Sequence, residues 1–350
     1  MTNSYRILVA SYSNNVYSLL FDPSTPSLTR TSSIEAGFHP SWITHYPGDT
    51  SLVFASLEQA NGKIIVLKYD NEANGAIVAE SSSGGDDPCS LLATKDQLLI
   101  ANYSSGHVSV LPISPEPPYI LKQTPTTITL TGSGPNKDRQ RSAHPHQVYL
   151  NAEYDEVLVP DLGGDRVYRF KQNAEGSWMA QSHITYEPGE GPRHVAFHNG
   201  TLYTLLELIS TVASHRLPPQ PAEPSFLHTV ATMSQPPPSP TDMLAAEILL
   251  PHPNATFPIP YIYVSNRNDP SHDGDIISIF STEAKLIAEV RSGLKHLRGM
   301  AFGGPDDKWL IAGGVHGGGI KIFERVNEGK GLVEIAGNTE TESPTGFLWL

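Results

Sequence analysis

Residues 157–170 read VLVPDLGGDRVYRF, and this stretch decides the fold. An alternating apolar run is followed by a short polar turn and a second alternating run, which is the pattern of two antiparallel strands joined in a hairpin. The same unit recurs six more times, at residues 7–21, 52–69, 98–113, 202–217, 261–280 and 309–323. The copies are spaced about 45 to 60 residues apart, which is in the range of β-propeller blades.

A shorter element precedes every copy except the first. It has a polar start, often with proline or histidine, and continues as a single strand, as in HPHQVYLN at residues 144–151. The copy at Ile7 has no such element before it, whereas SPTGFLWL, residues 343–350, has no copy after it. Pairing this last strand with the first copy is the simplest arrangement, because circular closure removes open sheet edges.

The pattern therefore predicts an all-β fold, a seven-bladed β-propeller in which the C-terminal strand pairs with the N-terminal blade. We expect residues 1–350 to form a single domain. The proline-rich residues 217–240 favour an extended surface insertion, with a lid or a partner-binding arm as the alternative. Residues 113–140 form a second long connection, which we expect to border a functional site.

Composition excludes several classes of function. The net charge is −13, which argues against nucleic-acid binding because phosphates need a basic surface. The single cysteine, Cys89, cannot form a disulfide within the chain. No apolar stretch approaches the roughly 18 residues of a membrane helix, and the first residues do not resemble a signal peptide. We therefore expect a cytoplasmic protein with no membrane partner, and the oligomeric state stays open.

Several ionisable side chains lie where the predicted innermost strands begin and where the strands that follow them end. They are His144, His146, Arg193, His194, Glu207 and Arg267. In a propeller such positions converge at the mouth of the central channel, although they are far apart in sequence. The guanidinium of arginine can donate two parallel hydrogen bonds to a carboxylate or phosphate, and histidine can transfer a proton near neutral pH. The set predicts a small anionic substrate.

Other interpretations of these residues are open. The H-x-H motif could bind a metal, but no third ligand is apparent, so we expect neither a metal nor a cofactor. Arg193 and Arg267 could instead pair with blade carboxylates such as Asp161 or Asp165, which otherwise are expected to shape a turn. The glycine-rich residues 313–319 lack a following Lys-Ser/Thr or helix, so they predict a hairpin turn rather than a phosphate loop.

The order of H-x-H, G-P-R-H, an E-L turn and an N-R turn resembles the lactonase-type seven-bladed propellers. That family includes the bacterial propeller-type 6-phosphogluconolactonases and the fungal 3-carboxy-cis,cis-muconate cyclases. The resemblance covers nearly the whole chain and implies site roles for His146, Arg193, Glu207 and Arg267. One departure is Leu206, which precedes Glu207 where the bacterial lactonases usually have asparagine.

Three functions from different classes follow. The first is a lactonase or a lactonising cyclase (a cycloisomerase), in which arginines hold an anion and His146 or Glu207 transfers a proton. The second is a propeller recruited to fungal secondary metabolism as a cyclase or hetero-Diels–Alderase, which would act by orienting the reactants. The third is a binding scaffold without activity, because a fold does not determine a function; the presence of all four site positions argues against it.

Overall fold

The computed structural model describes residues 4–71, 74–236 and 242–350. Within these residues the chain forms seven four-stranded antiparallel sheets and two single-turn 3-10 helices, Pro305–Asp307 and Asn327–Gly329. The two helices are the only ones in the described ranges, and neither is long or apolar enough to cross a membrane. The all-β prediction is confirmed.

The sheets are numbered by their order along the chain, and each is given from one edge to the other. Sheets 1 to 3 are β28 (Pro344–Trp349), β1 (Tyr5–Ser11), β2 (Asn15–Asp22) and β3 (Ser27–Glu35); β4 (Pro40–Tyr46), β5 (Asp49–Leu57), β6 (Lys63–Tyr69) and β7 (Gly75–Ser82); and β8 (Pro88–Ala93), β9 (Gln97–Asn102), β10 (His107–Pro112) and β11 (Thr126–Thr129). Sheets 4 and 5 are β12 (Tyr149–Asn151), β13 (Glu156–Asp161), β14 (Arg166–Gln172) and β15 (Trp178–Thr185); and β16 (Pro192–His198), β17 (Thr201–Leu206), β18 (Thr211–Arg216) and β19 (Ser225–Ala231). Sheets 6 and 7 are β20 (Leu244–Leu249), β21 (Tyr261–Arg267), β22 (Ile276–Ser281) and β23 (Leu286–Arg291); and β24 (Lys295–Gly303), β25 (Trp309–Gly317), β26 (Gly319–Val326) and β27 (Gly331–Asn338).

The repeated sequence unit corresponds to the two middle strands of each sheet. In the unit that decides the fold, β13 and β14 pair with Val157 opposite Phe170 and Val159 opposite Tyr168. The polar-start elements form the edge strands β4, β8, β12, β16, β20, β24 and β28. The glycine-rich residues 313–319 lie in the hairpin of β25 and β26, as predicted.

Closure through the chain ends is also confirmed. Strand β28 pairs antiparallel with β1, so that Ile7 lies opposite Trp349 and Val9 lies opposite Phe347. The Trp349 ring stacks with Trp309 at a centroid distance of 6.3 Å. The last strand of the chain therefore completes the sheet that the first strand begins.

Burial differs sharply between middle and outer strands. Every residue of β13 is buried, whereas β23 alternates between partly buried and exposed positions. Residues of sheets 3 and 4 share one apolar cluster, which includes Leu99, Val110 and Phe170. The sequence of a strand that is packed on both faces is a continuous apolar run, whereas the sequence of an exposed outer strand is not.

Two segments predicted as loops contain outer strands. Within the proline-rich residues 217–240, Ser225–Ala231 form β19, and residues 237–240 lie outside the described part of the chain. Within residues 113–140, Thr126–Thr129 form β11. The prediction of an extended loop was wrong for these residues. The sequence did not reveal the two strands because their residues are largely exposed and lack an apolar alternation.

By its internal contacts the chain divides into two compact units. One unit comprises Thr44–Leu67 and Ile77–Thr229, and it contains most of the candidate site residues. The other comprises Met1–Ile43, Lys68–Ala76 and Val230–Leu350, and it contains Arg267. That residues 1–350 form one domain stays a prediction.

Candidate active site

The H-x-H segment is held in an extended conformation against the end of β13. His146 N donates to Pro160 O at 2.9 Å, Leu162 N donates to His144 O at 3.0 Å, and Pro145 forms a bridge with Asp161. Because alternate residues of an extended segment point to the same side, the two imidazoles share one face. The local backbone thus accounts for their common orientation.

The turn after β13 fixes the position of His144. Asp161 Oδ1 accepts hydrogen bonds from the backbone N–H groups of His144 (2.6 Å), Gly163 (3.1 Å) and Gly164 (3.0 Å). Burial raises the pKa of Asp161, although these three donors act in the opposite direction. A Cβ on Gly163 would lie 1.8 Å from Ser142 O, so this close approach requires glycine. Asp161 shapes the turn, as the sequence predicts.

Tyr103 forms an aromatic contact with both histidines. The His144 ring stacks on Tyr103 with centroids 4.5 Å apart, and its Nδ1 donates to Tyr103 O at 2.8 Å. His146 meets the same tyrosine edge-on at 5.5 Å and His194 edge-on at 5.2 Å. His146 is therefore positioned between two rings, while the His144 ring is tied to a backbone carbonyl.

Glu207 is the centre of a buried charge cluster. It follows β17, and its N–H donates to Gly191 O at 2.8 Å. Its carboxylate accepts from Arg193 Nε at 2.6 Å through Oε2 and from Arg139 Nη2 at 2.6 Å through Oε1. Arg193 and Glu207 are each 1% exposed. Two guanidiniums thus contact one carboxylate, in a chain whose net charge is −13.

Arg139 was not predicted as a site residue, although it begins the stretch RQRSAHPHQVYL. It lies in the 130–148 loop, which joins β11 to β12, and its side chain is 33% exposed. Burial lowers the pKa of Arg139, but the nearby Glu207 and Tyr103 raise it by more, so the pKa lies above its ordinary value. The sequence showed only an arginine in a polar loop; the contact with Glu207 spans 68 positions along the chain.

Buried polar contacts hold the loop that carries Arg139. Gln140 is fully buried, and its Nε2 donates to Leu162 O at 2.9 Å and to Asp165 Oδ1 at 2.8 Å. Asp165 also accepts from Gly189 N at 2.9 Å and from Gly191 N at 2.8 Å. Asp165 thus connects the loop before β12 to the loop before β16, the strand whose second residue is Arg193.

The structure brings together five of the six predicted site residues. They are His144, His146, Arg193, His194 and Glu207. Arg193 pairs with the carboxylate of Glu207 and not with Asp161 or Asp165, the two examples named for a structural pair. Whether the arginines bind substrate or only pair with blade carboxylates stays a prediction. Arg267 lies in the other unit at the end of β21, where its Nη2 donates to Ala245 O at 3.1 Å. Among the described residues, no group of three potential ligands is arranged to hold a metal ion.

The family model described as "Lactonase, 7-bladed beta-propeller" matches residues 6–349. The chain therefore belongs to the seven-bladed β-propeller lactonase family. The 6-phosphogluconolactonase of Bacillus subtilis is 26% identical over 324 residues, which cover 90% of this chain and 88% of the relative. The 6-phosphogluconolactonase of Formosa agariphila is 29% identical over 314 residues, and 85% of each chain is covered.

Solved structures of distant relatives share the fold. A Bacteroides fragilis protein superposes with a TM-score of 0.85 at 23% identity, covering 99% of this chain and 98% of the other. The periplasmic gluconolactonase of Pseudomonas aeruginosa gives a TM-score of 0.80 at 20% identity, covering 99% of each chain. At these identities the likeness supports the seven-bladed propeller and carries no conclusion about substrate.

Proposed function

We propose that this protein hydrolyses a small anionic sugar lactone such as 6-phosphogluconolactone. The observation that carries the proposal is the Arg139–Glu207–Arg193 cluster beside His146 and His194, in a chain of the lactonase family. The cluster combines two guanidiniums with a histidine, and these are the groups needed to bind an anion and to move a proton.

Each group has a distinct part in the proposed reaction. His146 removes a proton from water as the water attacks the lactone carbonyl, and then returns a proton to the ring oxygen that leaves. A guanidinium at the cluster stabilises the negative charge that develops on the carbonyl oxygen. Glu207 keeps Arg193 in place, because its Oε2 accepts from Arg193 Nε at 2.6 Å. Arg267 stays a predicted substrate contact.

The experiment compares His146→Gln with His144→Gln. Hydrolysis of 6-phosphogluconolactone is followed by proton release in the presence of a chelator, with the spontaneous rate subtracted, since lactones also open without an enzyme. We expect His146→Gln to lower kcat by roughly 10²- to 10⁴-fold with little change in KM. His144→Gln should cost much less, because Nδ1 of His144 is already tied to Tyr103 O.

Two results would contradict this mechanism. Full activity of His146→Gln would remove the proton-transfer role, and activity that needs an added divalent ion after chelation would show that H-x-H binds a metal. The cyclase and hetero-Diels–Alder alternatives stay predictions, and so does the inactive scaffold. The lactonising direction would use the same groups in reverse, whereas a cycloaddition should depend far less on His146.

A further inference from the structure

The two arginines on Glu207 differ in how far they reach solvent. The Arg193 side chain is 2% exposed, with Nε on Glu207 and Nη1 at 3.4 Å from His194 Nε2. The Arg139 side chain is 33% exposed. Its side-chain hydrogen bonds are made by Nη2, to Glu207 Oε1 at 2.6 Å and to Tyr103 Oη at 3.4 Å. Within the described part of the chain, Nε and Nη1 of Arg139 have no hydrogen-bond partner.

Arg139 presents its remaining donors on the accessible side of the cluster. Glu207 accepts from both guanidiniums, but the side chain of Arg139 is 33% exposed whereas that of Arg193 is 2% exposed. Burial raises the pKa of Tyr103, which keeps its phenol protonated and able to donate. A guanidinium fork with an adjacent phenol is a donor set that matches the oxygens of a phosphate or carboxylate.

The loop holds Arg139 in place before any ligand arrives. Asn136 O accepts the backbone N–H of Arg139 at 3.2 Å and of Gln140 at 2.7 Å, and the buried Gln140 side chain anchors the turn to Asp165. A side chain fixed in advance loses little conformational freedom on binding, which favours affinity and selectivity.

We propose that Arg139 binds the terminal anionic group of the substrate and thereby sets the preference for a phosphorylated over a neutral sugar lactone. This inference rests on the proposed lactonase function and deepens it. Arg193, held by Glu207, then acts at the reacting carbonyl, and Arg139 acts at the distal end. Because carboxylate and phosphate share this chemistry, a lactone with a distal carboxylate forms a third arm of the test.

The test measures kcat/KM for 6-phosphogluconolactone, a distal carboxylate lactone and neutral gluconolactone. For Arg139→Ala we expect a loss of roughly 10- to 100-fold on the phosphorylated lactone, mainly in KM, and less than about threefold on the neutral one. Arg139→Lys should recover part of the loss, since it keeps the charge without the fork. The carboxylate arm shows whether Arg139 selects phosphate or any anion.

Arg141→Ala is the matched control. Arg141 lies two residues further along the same loop, its side chain is 77% exposed, and its Nε donates to Lys137 O at 2.6 Å. This variant removes the same charge from the same loop, so a long-range field effect would appear in it too. We expect Arg141→Ala to hydrolyse all three lactones as the unchanged protein does.

Binding of the product 6-phosphogluconate, measured by titration calorimetry, separates failure of this inference from failure of the proposed function. If the protein hydrolyses no lactone but binds 6-phosphogluconate at least tenfold more weakly after Arg139→Ala, the anion contact stands and the proposed reaction fails. Equal losses on phosphorylated and neutral lactones would overturn the inference, because Arg139 would then only position Glu207. Unchanged kinetics and binding in Arg139→Ala, or no binding by the unchanged protein, would overturn it as well.

Discussion

Glu207 accepts hydrogen bonds from two guanidiniums, one on each carboxylate oxygen, and this limits the roles open to it. Opposite charges within hydrogen-bond distance stabilise the ionised form of a carboxyl group. Both carboxylate oxygens of Glu207 are engaged in these contacts, and this geometry serves to orient Arg193. Its predicted catalytic role stays a prediction, and the contacts favour His146 as the proton carrier.

His215 is a second histidine whose surroundings define its charge. It lies in β18, 6% exposed, with the Tyr186 ring at 5.2 Å and the Phe226 ring at 5.5 Å. Burial lowers the pKa of His215 from 6.5 to about 4. The titratable groups that line the same cavity, of about 250 Å³, are Tyr186, Glu187 and Glu190. The imidazole is therefore neutral in the folded protein near pH 7.

We expect His215 to make stability depend on pH between about 6.5 and 4. In this window the unfolded chain binds more protons than the folded one, so the free energy of unfolding rises with pH and falls on acidification. Each unit of pKa difference is worth about 1.4 kcal/mol. Partial solvent access near the cavity reduces the effect to the order of 1–2 kcal/mol. Urea unfolding at a series of pH values measures it.

The comparison uses His215→Phe and His198→Gln. The first should flatten the stability profile across this window, because it removes the buried imidazole and keeps a ring. The second replaces a partly exposed histidine at the end of β16 and should leave the profile unchanged. A slope that persists in full after His215→Phe would show that another group is responsible. The neighbouring Glu190 is not such a group, because burial raises its pKa and a raised carboxyl pKa makes the free energy of unfolding fall as the pH rises.

At the scale of elements, a fully buried ion pair ties sheet 4 to the beginning of the proline-rich segment. Arg169 Nε donates to Glu156 Oε2 at 2.9 Å and Nη2 to Glu156 Oε1 at 3.0 Å, with side-chain exposures of 1% and 0%. Arg169 Nη2 also donates to Pro218 O at 2.9 Å, and Gln220 Nε2 donates to Glu156 Oε2 at 2.8 Å. The polar groups of one strand pair therefore direct the chain that leads to β19.

Breaking this pair should be much more costly than replacing it. Arg169→Met leaves Glu156 charged and buried, and we expect a loss of about 3–5 kcal/mol in the free energy of unfolding. Arg169→Met combined with Glu156→Leu should lose less, because no unpaired charge remains. Lys63→Met breaks the exposed pair with Glu80 and should cost under about 1 kcal/mol. A double variant as unstable as Arg169→Met would contradict this account.

The elements that could be predicted from the sequence are those that bury apolar residues. The middle strands carry continuous or alternating apolar runs, and the polar-start edge strands are recognisable from their repeat. β11 and β19 escaped prediction because TTIT and SFLHTVA are mostly exposed, so pairing with a neighbouring strand, and not burial, makes them strands. Arg139 was missed for a related reason: its position depends on Gln140 and Asp165, whose contact spans 25 positions.

At the scale of the whole molecule, the last strand, β28, is joined to the first strand, β1, by backbone hydrogen bonds. β28 is the edge strand of sheet 1, and Leu350 N also donates to Arg6 O at 3.0 Å. Trp349 packs near Tyr5, Phe21 and Trp309, with ring centroids about 6.2 to 6.3 Å away. Residues at the two ends of the sequence thus belong to one apolar cluster, and losing either end opens it.

Deleting residues 343–350 should therefore destabilise the whole protein and not merely fray one end. The deletion exposes the backbone edge of β1 and the ring cluster around Trp309, so we expect the melting temperature to fall by several degrees or more. The matched control moves the same residues to the N-terminus, joined to Tyr5 by a short turn. Because Trp349 already lies opposite Ile7 in the antiparallel pair, a turn of a few residues can connect them. If pairing alone matters, the moved strand restores the melting temperature. A truncated protein that melts at the original temperature, or a moved strand that restores nothing, would contradict closure as the source of this stability.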